Sequence, residues 1–381
     1  MDRSPGSRAR NQIVQRGLRV DDLSRRNPPV LLRRQISRSE TSAVTPDTVL
    51  IQGDGIAACC CARLLRANGF EVALAKTARS KLPTILVSES TQLLLRDVFE
   101  DGDLFRGFPQ IRKRIVSWGR QSRTQTIPHS AVAVSEEELL SRLWPKVPAC
   151  IDVDEKDPGW TIVTSRASDL LPYDHKFGSR NAFAISVRLK SGADRDACWV
   201  ESLDSGWLFL LACGHDNAFL LSIGAPPEVQ LEKSRLVEMQ IESLNGPTTQ
   251  FPAYPRILSA LYGPGWLACG SAAMAFDPVC GEGASNAVRE AILASAVVRA
   301  MSKGLATQDV FAHYSSRLTA GFLRHLEACR DFYVRGNSGP FWESELELLE
   351  KGIEQMHERL NRSPQSRYRL IDFELHAVDP A

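Results

Sequence analysis

From Thr48 onward the chain alternates short apolar runs with turns of small residues. Val49-Leu50-Ile51-Gln52 has strand composition, and Gly53-Asp54-Gly55-Ile56-Ala57-Ala58 follows at once. Cys59 to Asn68 is rich in small and apolar residues, with Leu64 and Leu65 spaced to pack, and Gly69 stops it as a helix C-cap would. Phe70 to Ala75 reads as a second strand. Strand, glycine turn, helix and strand in this order form a βαβ unit.

The middle of the chain carries strand signals. Arg114 to Trp118, Ala131 to Val134, Trp160 to Ser165, Ala182 to Leu189, Cys198 to Leu203, Trp207 to Cys213 and Ala218 to Ile223 are short runs separated by turn residues and lysine. This spacing predicts a mostly antiparallel sheet inserted after the first βαβ unit. Glu228 to Asn245 has helical spacing at Val229, Leu231, Leu236, Met239 and Ile241. Asn286 to Ala300, Thr307 to Arg335 and Trp342 to Leu360 read as long helices.

Composition narrows the class. Hydrophobic residues are 43% and charged residues 24% of 381, enough to bury a sizeable core. A net charge of +1 gives no support for binding nucleic acid or an anionic membrane. No apolar run is long enough to span a bilayer. The nine cysteines read as reduced thiols of a cytoplasmic protein. The first 47 residues differ from the rest: ten arginines against five acidic residues, and no lysine. They are expected to be a mostly disordered extension, dispensable for folding.

Two segments carry chemistry. In Gly53-x-Gly55-x-x-Ala58 the first glycine permits a tight turn, and the second lets a pyrophosphate approach the backbone. A small third residue lets helix and strand pack, and the helix N-terminus offers free N–H groups to phosphate. The second strand should end in an acid that holds ribose hydroxyls, but Lys76 stands there, and a lysine cannot accept those bonds. The second segment runs from Trp266 to Ala287 and contains Gly270-Ser271-Ala272-Ala273, then Pro278-Val279-Cys280-Gly281-Glu282-Gly283-Ala284. A strand enters, small residues turn, and a loop opens a long helix.

This second segment resembles the flavin motif of the FAD-dependent monooxygenases of the p-hydroxybenzoate hydroxylase type and of the flavin-dependent halogenases. Their turn reads Gly-Asp-Ala-Ala-His, followed by Pro-x-x-Gly-x-Gly. Leu86 to Thr91 is similar to a Gly-Glu-Ala-Thr stretch of the halogenase-like branch, and Phe332-Tyr333 with Phe341-Trp342 to its C-terminal helices. Within that branch the chain also resembles flavoproteins that mature peptidyl quinone cofactors by acting on a tryptophan of a partner protein.

The resemblance implies a Rossmann-type α/β FAD domain with an inserted mixed or antiparallel substrate sheet and C-terminal helices. The expected segments are 48–150 and 258–305 for FAD, 151–257 for the substrate domain, and 306–381 for the helices and tail. Gly53, Asp54, Gly55, Ile56, Ala57, Ala58, Lys76, Gly270, Ser271, Pro278, Gly281, Gly283 and Ala284 would line the FAD site. Glu282 and Cys280 would lie nearest the ring as catalytic candidates. Ser271 replaces the acid of the family turn, a second lost contact. His129, His215 and Arg180 are weaker candidates, and Cys59-Cys60-Cys61 reads as helix packing.

Halogenation carries over poorly. Alignment on Trp118 puts Gln110 where the halogenases have a lysine, with Lys113 out of register, and Cys280 replaces their glutamate. The expected activity is therefore oxygenation of an aromatic or electron-rich substrate, either a small molecule or a partner-protein tryptophan. Reducing equivalents would come from a separate flavin reductase or from NAD(P)H. The other open reading, motivated by Lys76 and Ser271, is a flavin-fold protein with weakened or lost FAD binding that acts as a maturation factor or chaperone.

Overall fold

A computed structural model of the protein describes residues 48–77, 79–120, 123–151, 158–166, 168, 171–364 and 367–378. The extension at 1–47 lies outside the described residues. The strands, in chain order, are β1 (Thr48–Gln52), β2 (Glu71–Ala75), β3 (Ile85–Ser88), β4 (Gln110–Ser117), β5 (Gln125–Val134), β6 (Trp160–Val163), β7 (Asp174–Lys176), β8 (Asn181–Leu189), β9 (Ala197–Leu203), β10 (Gly206–Ala212), β11 (Asn217–Ile223), β12 (Ile241–Pro252), β13 (Arg256–Leu258), β14 (Tyr262–Gly263), β15 (Trp266–Ala268), β16 (Met274–Ala275), β17 (Tyr368–Ile371) and β18 (Glu374–Ala377). The helices are α1 (Ile56–Ala67), α2 (Glu89–Phe99), α3 (Glu136–Leu143), α4 (Pro227–Leu231), α5 (Gly283–Ser302), α6 (Thr307–Gly336) and α7 (Pro340–Asn361).

The first sheet has the order β14-β15-β6-β1-β2. Its four long-paired strands β15, β6, β1 and β2 run parallel, with Ile162 between Ile51 and Leu267. Val49, Leu50 and Ile51 are all buried, so β1 is covered on both faces. α1 makes the crossover from β1 to β2 and packs on α5.

The expectation for Trp160 to Ser165 is corrected here. β6 belongs to this parallel sheet, not to the inserted one. The reason is two-sided burial: Ile162 and Val163 are adjacent, so they face opposite sides, and both are fully buried.

The second sheet has the order β12-β8-β11-β10-β9-β4-β5-β3 and is antiparallel except where β4 meets β9. The helical reading of Glu228 to Asn245 is also corrected. Only Pro227–Leu231 is α-helical; a single 3-10 turn spans Glu238–Gln240, and the chain then enters the edge strand β12. The buried carboxylate of Glu201 accepts the N–H groups of Arg235 at 2.8 Å, Leu236 at 3.1 Å and Val237 at 3.0 Å. Those donors are thereby lost to a helical ladder.

The three C-terminal helices lie where the periodicity puts them. Between α6, α7 and the second sheet sits an aromatic cluster: Trp118, Trp207, Tyr333 and Trp342, with ring centroids 5.3–6.2 Å apart between neighbours. Among the described residues, no helix is long and apolar enough to cross a membrane.

Candidate functional site

The carboxyl ends of β1, β2, β6 and β15 meet at one edge of the parallel sheet, where crevices form in such folds. Gly53 N–H donates to Ala75 O at 2.9 Å, Thr164 N–H to Gln52 O at 2.8 Å, and Cys269 N–H to Val163 O at 2.8 Å. Four chain segments are thus tied together just beyond their strands.

Gly53 has φ +132°, and a Cβ there would fall 2.1 Å from Thr164 Oγ1. Only glycine satisfies both conditions. Gly55 is the N-cap of α1; no side chain caps the helix and its first turn carries no acid. The first N–H groups of α1 therefore face the crevice uncapped.

The second motif reaches the same place. Gly270 has φ +60°, and a Cβ there would lie 2.8 Å from Ala57 Cβ. The two motifs, more than 200 residues apart, are packed against each other through two small residues. Gly270 N–H donates to the buried carboxylate of Glu290 on α5 at 2.7 Å. Burial pushes the Glu290 carboxyl up to about 8. Ser271 Oγ donates to Thr164 O at 3.2 Å, so the hydroxyl that replaces the family acid is used within the protein. Ser271 O accepts from Arg256 at 2.6 Å.

Pro278 to Cys280 forms a single 3-10 turn whose N-cap, Asp277, accepts Val279 N–H at 2.8 Å. Gly281 (φ +66°) leads into α5, whose N-terminus also lacks a side-chain cap and a first-turn acid. Gly281 and Gly283 are exposed, while Glu282 and Ala284 are half-buried. Asp277 is held from behind by Arg180, which also pairs with Glu345 of α7; all three side chains are at most 2% exposed. Burial opposes the Arg180 charge, but Asp277, Tyr333 and Glu345 outweigh it and keep the guanidinium charged. Arg180 is thus a buried clamp on the loop, not a residue open to an anion.

The remaining candidates separate from the crevice. His129 lies within β5 and His215 in the turn between β10 and β11 at φ +51°. Cys59, Cys60 and Cys61 are fully buried in α1. Trp207 is core, with its Nε1 donating to Tyr333 OH at 3.3 Å. Trp118 Nε1 donates to Phe332 O at 2.9 Å.

Lys76 is exposed at the end of β2. Beyond it the sequence reading missed the feature that changes the site most. Arg79 lays its guanidinium over Gly55: a Cβ at Gly55 would meet Arg79 Nη2 at 2.5 Å and Glu136 Oε1 at 3.4 Å. Arg79 pairs through two nitrogens with Glu136, which is 3% exposed and also accepts Leu82 N–H at 2.9 Å. Lys81 pairs with Asp54 at 2.6 Å. The place where the second glycine would admit a pyrophosphate is therefore held by an internal ion pair. The Arg79 side chain is 31% exposed, and a guanidinium is itself a phosphate ligand. A dinucleotide would fit the glycine turn only with Arg79 released from Glu136 to its phosphate.

No family model and no curated protein matches the chain. Solved structures do. The flavin-dependent halogenase CmlS superposes with a TM-score of 0.66 at 16% identity, over 84% of this chain and 72% of that one. The peptidyl tryptophan dihydroxylase QhpG, essential for tryptophylquinone cofactor biogenesis, gives 0.65 at 18% identity, over 88% and 86%. PqsL, a probable FAD-dependent monooxygenase from Pseudomonas aeruginosa, gives 0.61 at 13% identity, over 82% and 100%. The chain has the fold of the FAD-dependent monooxygenases and, within that fold, resembles the halogenase-like branch.

Proposed function

We propose that the protein is a flavin-dependent oxidoreductase of the monooxygenase type, acting on an aromatic or electron-rich group, with a tryptophan side chain of a partner protein as the favoured substrate class. The observation that carries this reading is the contact of Gly270 with Ala57. It joins both glycine motifs into one crevice at the carboxyl ends of the parallel strands.

The backbone of Gly53 to Ala57 and the uncapped first turn of α1 would hold the pyrophosphate, with Arg79 as its cationic ligand. Ala58 lets α1 pack close, and Gly270 and Ser271 would lie along the ribityl chain. Pro278, Gly281, Gly283 and Ala284 would border the ring, where the uncapped N-terminus of α5 favours negative charge. FAD, when bound and reduced, supplies the reactivity toward dioxygen. Glu282 and Cys280 would orient substrate or move a proton. The reductant would be a separate reductase or NAD(P)H.

Oxygenation is favoured over halogenation by Lys113 and Gln110. Lys113 is bound to Asp194 at 2.6 Å and Asp196 at 3.7 Å, and Gln110 donates to Phe108 O at 3.1 Å. QhpG, matched over most of both chains, supports a peptidyl tryptophan as substrate.

A second reading has its own observation. With Glu136 buried beside Gly55 and Lys76 at the ribose position, the fold could serve as a partner-binding maturation factor without flavin. The purified protein separates the two. A yellow protein that releases FAD on denaturation supports the enzyme, and Gly55→Asp should then abolish binding by placing a charged side chain against the pyrophosphate. A colourless protein that takes up no FAD at saturating concentration overturns it.

A further inference from the structure

One side chain of the second glycine loop and two from α6 converge where that loop packs on the helix. Cys280 ends the 3-10 turn, and His325 and Cys329 lie four residues apart on one face of α6. Cys280 Sγ and Cys329 Sγ are 3.7 Å apart, and Cys329 Sγ is 3.3 Å from His325 Nε2. Cys329 is fully buried and Cys280 half-buried. Nothing in the proposed oxygenation uses Cys329.

We propose that Cys280 and Cys329 are a redox-active thiol pair that closes to a disulfide on reaction with a hydroperoxide. The two thiols are chemically unequal, as such a pair requires. The hydrogen bond from Cys329 holds the Cys280 thiol below its ordinary range against the cost of burial. Burial and the neighbouring Cys280 push the Cys329 thiol well above its ordinary range. Of the two, Cys280 is the sulfur biased toward thiolate and the more accessible one, and Cys329 the sulfur biased toward thiol, which suits attack by the first and resolution by the second.

The steps balance. The Cys280 thiolate attacks the hydroperoxide, the O–O bond breaks, an alcohol or water leaves after protonation, and Cys280 becomes a sulfenic acid. The Cys329 sulfur then attacks the Cys280 sulfur, its proton passes to the departing oxygen, and water leaves as the S–S bond forms. Two thiols lose two electrons in total and the peroxide gains them.

His325 keeps the pair in place. Its Nε2 accepts Asp277 N–H at 2.8 Å, so its ring proton sits on Nδ1. Asp277 is itself fastened to Arg180 and Tyr333. The turn carrying Cys280 is thus anchored one side chain away from its partner sulfur. The linkage would tie the loop before Gly281 and Gly283 to α6, and it does not depend on a flavin being bound.

The test uses the full-length protein. It is reduced, freed of reductant, treated with hydrogen peroxide near pH 7, alkylated and mapped by mass spectrometry. Loss of two alkylatable thiols per chain is expected, with a Cys280–Cys329 linked peptide that dithiothreitol reverses. Cys59, Cys60, Cys61 and Cys269 should stay reduced. Cys329→Ser should stop the reaction at a Cys280 sulfenic acid trapped by dimedone, and Cys280→Ser should remove the reaction. Oxidation that maps to the half-exposed Cys150 or Cys213 while both thiols of the pair remain alkylatable would overturn the proposal. So would a stoichiometric zinc ion in the purified protein whose removal is needed before Cys280 reacts.

Discussion

Around Gly55 the charged side chains, partly exposed except for the buried Glu136, pair with one another across the mouth of the turn: Arg79 with Glu136, Lys81 with Asp54. Around Gly270 and Pro278 the polar groups are buried and pair with the structure behind the loop: the Glu290 carboxyl with Gly270 N–H, and Arg180 with Asp277 and Glu345. Both regions are glycine turns at the ends of parallel strands, yet one is closed by side chains that can move and the other is fixed from beneath. Arg79 is half-buried and its partner Glu136 is buried, so releasing Arg79 to another anion leaves a carboxylate that keeps only Leu82 N–H as a donor. A buried triad is costly to break because its members cannot find water. The first turn is thus the adjustable half of the crevice and the second is the preorganised half.

Removing the buried clamp should have the largest effect. Arg180→Ala leaves the Asp277 and Glu345 carboxylates buried without their cation and is expected to lower the unfolding free energy by about 3–5 kcal/mol. Urea denaturation measures it, and a loss below about 1 kcal/mol would mean that the loop is held by something else.

The acid behind Gly270 gives a pH test of the same half. Glu290 titrates near 8 when folded, against about 4.5 ordinarily, because burial disfavours its charge. A carboxyl raised in this way makes folding most favourable below about pH 4. Its contribution is lost progressively as pH rises toward 8, because the unfolded chain ionises first. Glu290→Gln can still accept the Gly270 N–H bond but cannot ionise. The variant should match the parent near pH 5 and exceed it by a few kcal/mol at pH 9. Parallel stability curves across that range would show that Glu290 is not confined as described.

Turning to the adjustable half, Glu136→Gln keeps an acceptor for Leu82 N–H while removing the charge that holds Arg79. FAD affinity, followed by quenching of flavin fluorescence, is expected to rise about tenfold, or ~1.4 kcal/mol. Unchanged affinity would mean that Arg79 does not obstruct the turn.

The same contrast governs what could be read from the residues alone. The glycine motifs, the parallel βαβ start and the three long helices follow from local period and spacing, and they were legible. Glu228 to Asn245 was not, because the backbone donors at Arg235 to Val237 are captured by Glu201, 34 residues or more earlier in the chain. Arg79 and Glu136 are 57 residues apart, and each alone looks like a solvated charge. Thr164 joins the turns only because β6 lies between β1 and β15, a neighbour relation that no single-strand pattern encodes. Cys280 and Cys329 meet only when α6 packs under the loop. Local patterns encode elements and backbone turns; the side chains that modify a site arrive from elsewhere.

The smallest effect should come from Lys76. It is exposed, so replacing it disturbs no packing, and only its chemistry toward a ribose changes. Lys76→Glu supplies the acceptor that the second strand lacks, and a carboxylate accepting ribose hydroxyls in a solvated place gains on the order of 1 kcal/mol, a few-fold in FAD affinity. Combined with Glu136→Gln it sharpens the comparison between the two halves. The two positions act on different parts of the ligand, ribose and pyrophosphate, so their effects should add within about 0.5 kcal/mol. A double variant that binds no better than Glu136→Gln alone would mean that the ribose does not reach Lys76, and that the nucleotide half of the crevice departs from the geometry its glycines suggest.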